Sequence, residues 1–138
     1  MRKAILAVSL LLLAAGWGWA ATAGYNYIKA EELQKRITAK SPMMIVDICP
    51  VEQFATGHIK GSIETNAYPV KTDEEKAKLA KLLPKIKASS EDIVIVCPRG
   101  GGGATNTVDY YKANGVQEKR MLILEKGMDK WPYEKEKK

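Results

Sequence analysis

The run Ile93-Val94-Ile95-Val96-Cys97-Pro98-Arg99-Gly100-Gly101-Gly102-Gly103-Ala104 constrains this chain more than any other stretch. Consecutive β-branched apolar residues leave no polar face, so the run predicts a strand covered on both sides, as in a parallel sheet. A thiol ends that strand and a glycine-rich turn follows it. Ala104, Val108 and Tyr111 then recur at helical spacing, with Gly115 as the stop after Asn114. Cys97 is thereby expected beyond the carboxyl end of a parallel strand, where ligands bind in open α/β sheets. The four glycines let backbone N–H groups turn inward. Beside a helix N-terminus, expected near Ala104, such groups cradle anions and favour a thiolate. Cys97 is the candidate nucleophile, and Arg99, Gly100, Gly101, Gly102 and Gly103 are candidate substrate-binding residues.

The remaining segments fit the same architecture. Tyr25 to Ile28 predicts a short edge strand, and Ala30, Leu33 and Ile37 mark an amphipathic helix ending before Ser41-Pro42. Met43 to Ile48 is a second apolar run, closing on Asp47, Cys49 and Pro50. Glu52 to Thr56 predicts a single helical turn, and His58 to Ile63 a turn entering a short strand. Thr72 with Glu75 is a capping box for a helix over Asp73 to Leu83, with Pro84 as its terminator. Met121 to Leu124 predicts the last strand and Gly127 to Trp131 a final short helix. The charged tail to Lys138 is expected to fray. Strands alternating with helices at this spacing predict an α/β fold with about five short, mainly parallel strands.

Two cysteines and one histidine are too few for a zinc site made of protein ligands alone, so no metal is expected. Net charge is +6, but the basic residues are scattered along helices and cluster only at Lys135–Lys138, which argues against nucleic acid. Residues 1–23 read as a signal peptide. Arg2 and Lys3 form the basic region, Ala4 to Ala15 the apolar core, and Ala21-Thr22-Ala23 the cleavage site, leaving residues 24–138 as one domain. The expected location is therefore outside the cytoplasm: periplasmic in a Gram-negative cell, otherwise secreted. An uncleaved segment would instead tether the domain to a membrane. In such compartments thiols oxidise unless protected, which makes two cysteines informative.

These segments resemble, in order and spacing, the rhodanese-like family across about residues 25–133. The pieces are Tyr27-Ile28-Lys29-Ala30-Glu31-Glu32-Leu33, Ile45-Val46-Asp47-Ile48, Glu52 through Ile63, the Cys97 loop, and Leu124 through Trp131. The resemblance implies a three-layer fold, a five-stranded parallel sheet with helices on both faces. It also implies a cysteine that accepts a sulfane sulfur as a persulfide, with loop N–H groups stabilising it. No cofactor is implied. The expected partners are a small sulfur-containing anion or thiol acceptor, and a protein sulfur or redox partner.

Three departures stand out. Cys49 occupies a position where the family commonly has arginine. Pro98 follows the nucleophile, and the loop ends in glycine rather than a basic or hydroxyl residue. The segment from Cys97 to Gly115 looks longer than in common sulfurtransferase members. That is similar to the phosphatase-like and arsenate-reductase branch, whose closing arginine is replaced here by Gly103. The resemblance puts Cys49 and Cys97 at the same sheet edge, so Cys49 is a candidate resolving thiol and Asp47 a candidate support for the loop. Sulfur transfer at Cys97 is the leading expectation. A thiol–disulfide role for the Cys49/Cys97 pair and a non-catalytic binding module are the alternatives, with arsenate or phosphate-ester chemistry behind them. His58 and Trp131 are expected to be structural.

Overall fold

The computed structural model describes residues 24–138; the expected leader, residues 1–23, lies outside the described residues. Five strands form one sheet: β1 (Tyr27–Ile28), β2 (Met43–Asp47), β3 (Ile63–Glu64), β4 (Asp92–Val96) and β5 (Met121–Leu124). Their order is β1-β5-β4-β2-β3, and every pairing is parallel. The helices are α1 (Ala30–Thr38), α2 (Val51–Thr56), α3 (Asp73–Ala80), α4 (Leu83–Lys87) and α5 (Gly102–Ala113), with 3₁₀ turns at Glu118–Arg120 and Met128–Lys130. Among the described residues no helix is long and apolar enough to cross a membrane.

β4 is the central strand, and Ile93 to Val96 are fully buried. Alternation along the strands divides the core in two. On one face Val46, Ile48, Ile93, Ile95 and Cys97 pack with Leu79, Ile86, Val108 and Tyr111 of α3, α4 and α5. On the other, Ile45, Cys49, Val94 and Val96 pack with Leu33 of α1, Ile59, Met128 and Trp131. Each buried aliphatic or aromatic side chain contributes roughly 1.5–3 kcal/mol, so a strand apolar on both faces is stable only at the centre of such a sandwich.

Three expectations are corrected. Pro84 does not end the helix that follows Thr72. The capping box forms and α3 stops at Ala80, but Pro84 sits in the first turn of a separate helix, α4. A proline is tolerated there because its missing N–H would have had no helical partner. α5 opens at Gly102, two residues earlier than expected, so the last glycines belong to its first turn. The tail is docked, not frayed. Glu136 and His58 exchange backbone hydrogen bonds, and Lys138 donates from its N–H to Ala55 and from Nζ to Glu64 at 2.7 Å. Local charge gave no hint of these partners, which lie far away in the chain.

Candidate active site

β2 and β4 are neighbours, yet the chain leaves β2 toward β3 and leaves β4 toward β5, in opposite directions across the sheet. That divergence opens a crevice at the strands' carboxyl ends, the usual ligand position in open parallel sheets. Cys97 stands there, one residue past β4 and only 1% exposed. The chain then turns through Pro98–Gly101 into α5. Gly100 donates its N–H to Cys97 Sγ at 2.9 Å. Among the described residues, the N–H groups of Arg99, Gly101, Gly102 and Gly103 have no acceptor. Gly102 and Gly103 hold the unsatisfied N–H groups of the α5 N-terminus, where the helix dipole favours negative charge.

The loop is clamped from outside. Met128 donates its N–H to Cys97 O at 2.8 Å and Asp129 to Pro98 O at 2.9 Å. This close approach needs two glycines. Gly100 (φ +73) and Gly127 (φ +65) both lie in the left-handed region. A Cβ at Gly127 would overlap Cys97 O and come within 2.5 Å of Arg99 N and 2.6 Å of Gly100 N. A Cβ at Gly100 would come within 2.8 Å of Leu124 O.

The opposite wall is Asn66–Val70, a segment not anticipated as part of the site. Tyr68 lays its ring against Gly103, where a Cβ would meet ring carbons at 2.8 and 2.9 Å. Asn66 Nδ2 donates to Cys49 O at 3.3 Å and Asn106 Nδ2 to Pro69 O at 3.1 Å. Asn66 (φ +55) and buried Val70 (φ +62) are both left-handed, a conformation that costs a β-branched residue on the order of 1–3 kcal/mol. The sequence signal was faint: an aromatic–proline pair after a short strand, with no glycine to mark the strained turn.

Cys49 and Cys97 share the sheet edge but not a face. Ile48 N–H donates to Val96 O, so the two backbones run side by side. Their side chains pack in the two different halves of the core, and both are free thiols. Burial, with the Asp47 carboxylate beside it, pushes the Cys49 thiol far above the ordinary thiol range, so it stays protonated. Asp47 is 1% exposed. Its Oδ1 accepts the Cys49 N–H at 2.8 Å, and its Oδ2 has no protein partner. Burial therefore raises its carboxyl above the usual carboxylate range, against the Cys49 hydrogen bond. Asp47 thus braces the turn after β2 and makes no contact with the Cys97 loop's N–H groups.

Arg99 does not enter the cradle. Its side chain is 85% exposed, with Nε 4.0 Å from Asp129 Oδ2. His58 stacks on Phe54 with ring centroids 3.9 Å apart and pairs through Nδ1 with Phe54 O at 2.8 Å, a structural placement. Trp131 is buried in the core behind α1 and donates from Nε1 to Glu134 O.

Comparison with known proteins gives the same architecture. A rhodanese-like domain protein from Staphylococcus aureus is 27% identical; the match covers 82% of this chain and 98% of that one, with a TM-score of 0.62. A yeast protein tyrosine phosphatase of the rhodanese family, 18% identical, covers 78% and 83% with a TM-score of 0.60. An As–Sb reductase from Leishmania major, 24% identical, covers 78% and 77% with a TM-score of 0.57. At these identities the last two show the shared fold alone. None of the curated proteins matches the chain in sequence. Residues 29–134 match the model of the rhodanese-like domain family, and with the five-stranded parallel sheet and the thiol loop at its switch point, the chain belongs to that family.

Proposed function

We propose that this protein is an exported sulfurtransferase or persulfide carrier with Cys97 as its nucleophile. The observation that carries the reading is a single thiol at the switch point that accepts the Gly100 N–H, in a loop whose Arg99, Gly101, Gly102 and Gly103 N–H groups have no acceptor among the described residues. In the first half-reaction the Cys97 thiolate attacks the outer sulfur of a sulfane donor. A Cys97 S–S bond forms, the donor's S–S bond breaks, and the leaving thiolate or sulfite departs with its electron pair. In the second, an acceptor thiolate attacks the outer persulfide sulfur and Cys97 leaves as thiolate. No net redox change occurs, and the free N–H groups stabilise the terminal sulfur anion.

The cradle also bears on substrate class. Pro98 has no N–H to offer, Arg99 is turned to solvent, and Gly103 supplies no side-chain charge. A dianion would be poorly compensated, so the reading favours a low-charge donor such as an organic persulfide over thiosulfate. Cys49, protonated and facing the other half of the core, is assigned a packing role beside Asp47. Export rests on Arg2, Lys3, the apolar run and the Ala21-Thr22-Ala23 site.

Intact-mass analysis tests the reading directly. Reduced protein treated with an organic persulfide should gain one sulfur atom at Cys97, lose it to reductant or to an acceptor thiol, and gain none in Cys97→Ser. Sulfur on Cys49 alone, or a Cys49–Cys97 disulfide as the main product, would overturn it.

A further inference from the structure

On the flank of the Cys97 loop, Arg99, Lys126 and Lys130 line an open hollow of about 500 Å³, with Asp129 as its one carboxylate. Asp129 is already engaged, accepting from Gln53 Nε2 at 2.8 Å and lying 4.0 Å from Arg99. Lys126 and Lys130 form no ion pair among the described residues. An adjoining hollow shares these two lysines and adds Lys29, Glu31 and Glu125. The excess of positive charge is greater in the hollow that includes Arg99, three cations against one carboxylate, than in its neighbour, three against two.

Two features make this more than a solvated surface. Lys126 is held at φ +66, a conformation glycine adopts freely and lysine only at a cost. The hollow is also fixed mechanically to the nucleophile. Met128 and Asp129 hydrogen-bond to the carbonyls of Cys97 and Pro98, and Gly127 lies against the backbone of Arg99 and Gly100. A group docked on the lysines is thus held in register with the thiol loop.

We propose that this hollow docks an acidic segment of a partner protein that presents the acceptor thiol to the Cys97 persulfide. The proposal rests on the sulfur-transfer reading above. A lone small anion gains little from exposed lysines in water. Several like charges beside a reactive centre instead steer a macromolecular encounter and raise its on-rate, with strong salt dependence. A carrier that must meet and leave its acceptor quickly needs that kind of contact.

The test uses the full domain, loaded with sulfur by an organic persulfide. The acceptors are two synthetic cysteine peptides, one flanked by Asp and Glu and one by Ser and Gln. At low salt, transfer to the acidic peptide should fall about threefold in Lys126→Gln or Lys130→Gln and about tenfold in the double variant, converging at high salt. Loading of Cys97 and transfer to the neutral peptide should stay within about twofold of wild type on the same reasoning. Lys126→Gly should hold or raise the unfolding midpoint, because it relieves the left-handed residue, yet still lose acidic-peptide transfer. Equal rates for both peptides, or variants that lose loading as much as transfer, would overturn the proposal. So would preferential capture by anionic vesicles over the acidic peptide. If wild type fails to load at all, the sulfur-transfer reading falls instead. Docking is then decided by fluorescence anisotropy with the acidic peptide carrying serine for cysteine, where salt-insensitive binding, or none, refutes it.

Discussion

Gly103→Ala sets two effects of opposite sign against each other at the mouth of the site. Gly103 is helical, in the first turn of α5, and replacing a helical glycine by alanine is favourable by up to about 1 kcal/mol. The new Cβ, however, would sit 2.8 and 2.9 Å from two carbons of the Tyr68 ring and 3.2 Å from Ile48 Cδ1. Ordinary contact begins several tenths of an ångström further out, and overpacking of this kind costs about 1–3 kcal/mol. Subtracting the helical gain leaves a net destabilisation of about 1 kcal/mol. Tyr68 is 39% exposed, so its removal should be tolerated. In a Tyr68→Ala background the ring clash is gone and only the milder 3.2 Å contact with Ile48 Cδ1 remains, so Gly103→Ala should stabilise by about 0.5 kcal/mol. The coupling between the two sites is then about 1.5 kcal/mol, within the range for side chains in direct contact. Urea unfolding of wild type, the two single variants and the double variant measures it. Additive changes within about 0.5 kcal/mol would mean that the Tyr68 ring does not occupy the space above Gly103.

Other outcomes follow from the same geometry. Gly127→Ala places a Cβ against the backbone atoms of Cys97, Arg99 and Gly100 at a positive φ. No flexible side chain can yield there, so it should cost 3 kcal/mol or about that and shift the Cys97 loop, read as slower alkylation and persulfide formation together. Thr72→Ala removes the side-chain acceptor of the Glu75 N–H in the capping box and should lose about 1 kcal/mol by urea unfolding, leaving persulfide loading intact. Burial raises the Asp47 carboxyl above its ordinary 3.8. Between that value and the raised one the native state holds more protons than the unfolded state, so stability contributed by this group falls as pH rises through the window and levels above it. Asp47→Asn keeps an acceptor for the Cys49 N–H, and the wild-type-minus-variant stability difference should show that downward slope; a flat difference would mean Asp47 titrates normally.

Much of the architecture follows from local chemistry along the chain. Ile93 to Val96 could only be a doubly covered strand, and the thiol, the glycines and the helical repeat after them put Cys97 at that strand's carboxyl end. The capping box at Thr72 and Glu75 was equally plain, because both halves lie within one turn. What local pattern could not supply were contacts between distant segments. Pro84 reads as a breaker until packing of Ile86 into the core draws a second helix from it. The tail from Lys135 to Lys138 reads as solvated charge until His58, Ala55 and Glu64 are brought alongside. Tyr68 carries no local pattern that marks it, and it becomes a wall of the site only because α5 opens beneath its ring. The relation of Cys49 to Cys97 shows the division most clearly. Each follows an apolar run, which the sequence shows, and the two runs are neighbours in the sheet, which the resemblance implies. Which face each thiol occupies depends on the pairing register, in which Asp47 lies opposite Val96. In a pleated sheet a shift of one residue exchanges the faces. That register is set by the packing of both layers at once, so only the assembled tertiary structure decides that one thiol meets the glycine loop while the other lies against Asp47.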